Sequence, residues 1–406
     1  MNKAARGARA ETQLRERVCF VVTIAATADA FLLGHIAALA KVYDVTLVTS
    51  CRDKDYLRRR GLAVDVVHAP LVRTISPIRD CVCLLALWRI FRRGKYRILH
   101  TVTPKAGLLA LLAAAMARIP VRIHTFTGQI WATRSGFRRT VFKSLDGLIG
   151  MCATHVLVDS RSQMEFLLRE RVVPARKASV LGNGSISGVD TARFRPQAAA
   201  RSRVRASLEI PSQATVFAYI GRLRKEKGVL DLAAAFARLC ATHTDAYLMF
   251  VGADEESLTP EIRRLCASCA GRLRFTDHTP TPEDYMASAD ILCLPSYREG
   301  FGSVVIEAAA CQVPSLASRI YGVTDAVIDQ VTGILHEPGN IDDLANGMRR
   351  LMENPALRTS LGLRARTRAE TEFAAEKVTA AMVEYYATVL GGAKVDWPAA
   401  EGAVRT

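Results

Sequence analysis

Short apolar runs rich in β-branched residues alternate with longer stretches of helical periodicity along nearly the whole chain, and this alternation constrains the fold more than any other feature. Residues 18–24 (VCFVVTI), 45–49, 97–100, 121–125 and 155–158 read as strands, with helical stretches such as 31–41 and 105–118 between them. Strands joined through helices run parallel, and a parallel sheet needs both faces covered. The pattern stops over 188–211, where Pro and charge mix, and restarts with strands at 214–220, 246–251, 273–278 and 291–295. An α/β protein of two doubly wound, Rossmann-like domains follows, over residues 1–190 and 191–373. Residues 374–406 complete it as an amphipathic helix, expected to pack back on the first domain, and a polar tail from Gly391 expected to fray. At 406 residues, half of them hydrophobic and 23% charged, the chain can fill two cores and does not read as disordered.

Its longest apolar run, from Ala106 to Ala117, is too short to span a bilayer. The stretch after the basic first 17 residues has strand character and carries Asp29, unlike a signal peptide. Residence in the cytoplasm is expected. The ten cysteines are irregularly spaced, and Cys266-Ala-Ser-Cys269 lacks the second pair a zinc site needs, so they read as small buried hydrophobes.

Charge is unevenly divided. Residues 1–200 carry a net +19 and residues 201–406 a net −3. Such an excess suits a surface of fixed anionic charge, a membrane leaflet or nucleic acid; spare arginines alone also account for it. Within 84–97, Trp88 and Phe91 stand beside Arg89, Arg92, Arg93, Lys95 and Arg97, a segment that reads either as a helix lying among lipid headgroups or as one with an apolar core face and a solvated basic face.

Ligands of open α/β sheets bind beyond the carboxyl ends of the strands, so the loops there carry the chemistry. After the strand at 214–220 comes Gly221-Arg222-Leu223-Arg224-Lys225-Glu226-Lys227-Gly228. Its glycines free the backbone, while Arg222 and Lys227 suit a diphosphate near a helix N-terminus or form a solvated basic turn. After the strand at 291–295 comes Glu299-Gly300-Phe301-Gly302-Ser303-Val304, with Glu307 eight residues beyond Glu299. Gly300 and Gly302 let a ligand touch backbone, the amides near Ser303 and Val304 open a helix, and the glutamates can accept from sugar and ribose hydroxyls.

These blocks, with ADILCLPSYREGFG at 289–302, EAAACQVPSLAS at 307–318 and GVTDAVIDQVTGIL at 322–335, resemble the retaining glycosyltransferases of family 4. The resemblance runs almost throughout the second domain and implies the GT-B fold, two Rossmann-like domains facing across a cleft. It implies that Arg222, Lys227 and Glu299 are catalytic, the cations holding the donor diphosphate and Glu299 the donor sugar. Gly221, Gly300, Phe301, Gly302, Ser303, Val304 and Glu307 would bind the nucleotide sugar, Glu307 through the ribose. No metal or other cofactor is implied; Asp53-Lys-Asp55, the DxD of the chain, sits on a polar turn of the other domain.

In the first domain the blocks at 122–134, 159–168 and 181–194 resemble the subgroup that builds bacterial surface polysaccharides on polyprenyl carriers. Where that family has a His, this chain has Thr127, with His124 three residues earlier. His124, Thr127 and Arg134 are the acceptor-side candidates, His124 reading more readily as a buried strand histidine. The loop at 25–31 lacks the family's glycine pair, and an acceptor site around Phe31 and His35 is expected. The activity implied is transfer of a hexose or N-acetylhexosamine from a nucleotide sugar, UDP-linked, to a polyprenyl-linked glycan, by an enzyme peripheral on the inner face of the cytoplasmic membrane. Anionic lipid is a partner on this reading and nucleic acid is not. The alternatives are a nucleotide-sugar 2-epimerase of the same fold, which lacks the spaced glutamate pair, and a basic nucleic-acid-binding protein, for which no module is apparent.

Overall fold

The computed structural model describes residues 15–72, 74 and 76–391; most of the basic N-terminal segment and the polar tail lie outside them. It contains two parallel sheets. In the first, β1 (Arg17–Val21), β2 (Asp44–Thr49), β3 (Asp65–His68), β4 (Ile98–Thr101), β5 (Val121–Phe126), β6 (His155–Val158) and β7 (Ala178–Val180) lie in the order β3-β2-β1-β4-β5-β6-β7. The second orders β8 (Thr215–Ile220), β9 (Ala246–Val251), β10 (Leu273–Thr276), β11 (Ile291–Leu294), β12 (Ser315–Ser318) and β13 (Gly333–His336) as β10-β9-β8-β11-β12-β13. Each order reverses beside its first strand, the switch point at which α/β proteins open a crevice.

Helices cover both sheets. Against the first lie α1 (Ala25–Phe31), α2 (Leu33–Leu39), α3 (Pro77–Gly94), α4 (Pro104–Met116), α5 (Gly136–Cys152) and α6 (Arg161–Arg169). With the second go α7 (Ala198–Ser207), α8 (Val229–Leu239), α9 (Thr259–Leu265), α10 (Pro282–Ser288), α11 (Ser303–Ala310), α12 (Val323–Ala326), α13 (Ile341–Glu353) and α14 (Pro355–Glu372). The last helix, α15 (Ala375–Val389), returns to the first domain and packs on α2. The two crossings of the chain are tied together: Val189 N–H donates to Phe373 O at 2.8 Å and Ala375 N–H to Val189 O at 2.9 Å.

Several local readings shift. The strand expected over 18–24 ends at Val21, and helix begins at Ala25, because Ala25–Phe31 turns one face inward with Ala25 and Ala28 buried. The segment 188–211 contains α7, whose Arg205 is buried and paired with Asp290 at 2.8 Å, a helix without an obvious apolar stripe in sequence. Strands β3, β7, β12 and β13 add to the runs expected from the sequence. Seven of the cysteines are buried and all ten are free; among the described residues no group of His, Cys, Asp and Glu is placed to hold a metal. No helix among these residues is long and apolar enough to cross a membrane.

Burial keeps His100 and His124, in the core of the first domain, without charge. His100 Nδ1 meets the Tyr386 hydroxyl of α15 at 2.7 Å and its Nε2 meets Thr125 Oγ1 at 2.8 Å. His124 Nδ1 meets Thr101 Oγ1 at 2.7 Å, and burial pushes both imidazoles down to about 3. Both stay neutral in the fold but protonate near pH 6.5 once unfolded, so the unfolded chain binds more protons and stability falls as pH drops from 6.5 toward 3. The two together give a slope of about 2.7 kcal/mol per pH unit. Unfolding free energies of the wild type and His124→Asn should diverge between pH 6 and 4 by up to about 1.4 kcal/mol per pH unit, the wild type losing more as pH falls; parallel pH profiles would contradict the burial of a neutral ring at His124.

Candidate active site

The loop after β8 is fixed by two glycines. Gly221 sits at φ 154° and Gly228 at φ 69°, and a Cβ on Gly228 would lie 2.0 Å from Pro295 O. Only glycine lets this loop press against the end of β11. The contact is completed by Tyr297 N–H donating to Glu226 O at 3.0 Å, and it sets Lys227 beside Glu299, Nζ to Oε1 at 2.6 Å. Both side chains are mostly covered, at 20% and 14% exposure. Arg222, more than half exposed, points along the same rim and pairs loosely with Glu255 at 3.4 Å.

The loop after β11 leads through Glu299 and Gly300 to Gly302, which takes φ 81° and starts α11. From the other domain, the loop after β5 and the start of α6 meet it. Ser160 Oγ donates to Gly300 O at 3.2 Å, and Gly322 N–H donates to Ser162 Oγ at 2.7 Å. A cavity of about 320 Å³ lies between the domains, bordered by Thr127 and Asp159 on one side and by Arg222, Lys227, Glu299 and the opening of α11 on the other. Cations, free helix-start amides and a carboxylate converging on one cleft can hold a diphosphate and orient a hydroxyl-bearing ligand.

Residues 200–368 match the family model described as glycosyl transferases group 1, and residues 28–184 match that of the glycosyl transferase 4-like domain. The chain is a glycosyltransferase of the GT-B fold. It is 27% identical over 378 residues, 92% of its own length and 98% of the relative's, to the capsular polysaccharide biosynthesis glycosyltransferase CapM of Staphylococcus aureus. With UDP-Gal:alpha-D-GlcNAc-diphosphoundecaprenol alpha-1,3-galactosyltransferase of Escherichia coli it shares 26% identity over 78% of this chain and 81% of that one. Among solved structures it is similar to Anabaena Alr3699/HepE in complex with UDP and glucose, with a TM-score of 0.78 and 18% identity over 92% of this chain and all of that one. WaaG, described as a glycosyltransferase involved in lipopolysaccharide biosynthesis, matches with a TM-score of 0.71 and 16% identity over 92% of this chain and 100% of that one. These comparisons do not favour the epimerase.

In the glycosyltransferase Gly221, Arg222, Lys227, Glu299, Gly300, Gly302, Ser303 and Val304 all border the cleft, and so does Thr127. Phe301 borders it too, a residue 2% exposed whose ring meets that of Phe373 edge-on at 5.2 Å. Glu307 is half-buried on the next turn of α11 and is not among the residues bordering the cleft cavity. It faces Arg193 and Glu283, which pair at 2.8 Å, and burial pushes its carboxyl up to about 7 against the pull of Arg193.

On the acceptor side the structure separates the candidates. His124 lies wholly inside the sheet under α4, where a Cβ on Gly107 would come within 2.5 Å of its ring, so it reaches neither cavity nor surface. Arg134 is exposed ahead of α5 and stacks over Phe142 at 4.9 Å. The acceptor site expected around Phe31 and His35 does not form: Phe31 borders the cleft, but His35 is buried, held by Ile186 O at 2.7 Å and Thr379 Oγ1 at 3.0 Å. Asp53 and Asp55 pair with Arg59 and Arg58 on their own turn.

One cleft residue went unnoticed in the sequence. Asp159, directly after β6, is 5% exposed, its Oδ1 has no hydrogen-bond partner, and burial pushes its carboxyl up to about 8. The signal was present, since a carboxylate closing an apolar strand lies where α/β proteins bind ligands.

Proposed function

We propose that this glycosyltransferase moves a hexose or N-acetylhexosamine from a UDP-sugar to a hydroxyl of a lipid-linked glycan in surface polysaccharide synthesis, with retention at the anomeric carbon. The observation that carries the reading is the convergence of Lys227, Glu299, Arg222 and the start of α11 on a cleft closed from the other side by Thr127 and Asp159. The relatives named for capsular polysaccharide and for a diphosphoundecaprenol-linked acceptor support the substrate classes, and the neighbour solved with UDP and glucose supports the donor.

In this reading the C1–O bond to the diphosphate breaks through an oxocarbenium-like state as the acceptor oxygen bonds to C1 from the same face. The acceptor proton passes to the leaving phosphate. Lys227, Arg222 and the amides of Ser303 and Val304 take up the charge that grows on the diphosphate, and Glu299 accepts from sugar hydroxyls. Glu307, on the second turn of α11, is the ribose contact on this reading. Incubation with a panel of nucleotide sugars and a diphospholipid-linked glycan, read by mass spectrometry with and without EDTA, tests the reading. One UDP-sugar should be consumed only with acceptor present, at a rate EDTA leaves unchanged; free epimerised sugar, or rescue by Mn²⁺ after EDTA, would overturn it.

Contact with anionic lipid belongs to the same reading, with a change of anchor. Phe91 faces the core at 2% exposure and Trp88 is half-buried beneath Arg92, so neither ring projects. Instead Ile78, Val82 and Leu85 stand out at 82%, 56% and 47% exposure, and Arg89 and Arg92 continue the same i, i+4, i+7 stripe of α3. Reversing Arg89 and Arg92 to Glu should abolish co-sedimentation with anionic vesicles at low salt, each charge contributing about 1 kcal/mol near the surface. Unchanged sedimentation would remove α3 from the contact.

A further inference from the structure

The first domain encloses a second cavity between α3, α4 and α5, of about 490 Å³ and so larger than the one in the cleft. Its wall has two ends of different chemistry. Near the strand ends stand Thr23 and Thr103, whose hydroxyls meet at 2.9 Å, and Lys105, paired with Asp80 at 2.7 Å with both side chains 19% exposed. Farther along, Leu108, Ile130, Trp131, Phe142, Leu145 and Ile149 form an apolar trough. Asp146 at that end is taken up by the Trp131 Nε1–H at 2.7 Å, and Arg139 and Lys143 lie over the same indole at 5.3 and 5.8 Å.

Gly128 borders this cavity and Thr127 borders the cleft, so a single turn of the loop after β5 divides the two. Elsewhere on the helices that border the cavity, apolar side chains are exposed: Ile78, Val82 and Leu85 on α3, and Phe137 on α5 at 83% exposure. We propose that the trough seats the first isoprene units of a polyprenyl-diphosphate acceptor, with its diphosphate at Lys105 and its glycan carried past Thr127 and Gly128 into the cleft. The inference rests on the lipid-linked acceptor of the proposed function and assigns that acceptor a place and a set of residues.

The lining selects the occupant. A sugar in the trough would face Leu108, Leu145 and Ile149 with hydroxyls left unpaired, whereas a hydrocarbon chain needs no partners there. Its charged head matches the other end, where the Lys105 ammonium, donating to Asp80 and to Thr74 O, has a third proton for a phosphate oxygen. The apolar side chains exposed on α3 and α5 suit the same domain to a bilayer surface, the source of such a chain.

Leu145 is only half-buried, so Leu145→Trp fills the trough with little risk to the fold, and Leu108→Asp places a carboxylate in the path of the chain. Farnesyl diphosphate should bind the wild type in calorimetry, in the presence of saturating UDP, at least tenfold more tightly than inorganic diphosphate. Both variants should lose that preference while binding UDP as the wild type does. In transfer assays with one glycan on either a decaprenyl or a methyl diphosphate, Leu145→Trp should raise KM for the decaprenyl acceptor at least tenfold and leave the methyl acceptor unchanged. Farnesyl diphosphate binding no tighter than inorganic diphosphate, or equal losses on both acceptors, would overturn the proposal. A wild type that favours the decaprenyl acceptor, with Leu145→Trp favouring it equally, would reject the trough and leave the proposed function standing. A wild type that transfers to no lipid-linked acceptor would reject that function, and the trough with it.

Discussion

Lys227→Ala should lower kcat by roughly 10²–10³, the loss found when one preorganised donor to a developing negative charge is removed. Two effects add at this position. Lys227 is the more deeply covered of the two cations at the cleft, 20% exposed against 54% for Arg222, so water screens its charge less. Its removal also leaves Glu299 without the partner at 2.6 Å, and an unpaired carboxylate then faces the diphosphate. Arg222→Ala should cost about tenfold, because an exposed guanidinium already shared with Glu255 brings a smaller net field. Steady-state kinetics on both variants, with donor affinity measured separately, check this; equal losses in the two would mean that burial does not rank the cations.

Gly300→Ala should reduce kcat/KM about a hundredfold with the donor domain intact. Gly300 does not have a positive φ, so its own loop accepts a side chain. The obstacle is the opposite domain: a Cβ there would stand 1.9 Å from Thr127 O and 2.9 Å from Asp159 Oδ2. The domains must part by an ångström or more, and misplacement on that scale costs about 10² in rate when reactants are held from two sides. UDP affinity should stay within a few fold of wild type, and X-ray scattering should report a larger radius of gyration. Wild-type turnover in Gly300→Ala would show that the domains do not meet there during catalysis. Gly228→Ala makes the contrast, since its clash with Pro295 O lies within one domain and its φ of 69° disfavours a side chain, so the expected effect falls on the stability of the donor domain.

The donor-side loops were legible because their chemistry is local. Glycines at 221, 228 and 302 announce backbone that only glycine adopts, and Arg222, Lys227 and Glu299 lie within a few residues of strands that periodicity reveals. Elements whose stability comes from partners were not legible: α7 is held by Arg205 against Asp290, and β7 lies at an edge of its sheet without a single fully buried residue. Phe91 and His35 illustrate the same limit. Their neighbours in sequence suggested a membrane anchor and an acceptor contact, and the packing of α3 on its core and of α2 on α15 turned both inward.

What the sequence determined by itself was the alternation of strands and helices, hence two parallel sheets, and the pair of loops that present charge and backbone at the ends of β8 and β11. Period, β-branching and glycine placement act between residues a few positions apart, so one chain displays them. The tertiary structure alone decided which residues face one another across the cleft, that Asp159 rather than His124 stands there, and that α3, α4 and α5 leave a trough between them. Those outcomes depend on contacts between segments distant in the chain, where the facing of a side chain is set by the shape of its partner and not by its neighbours in sequence.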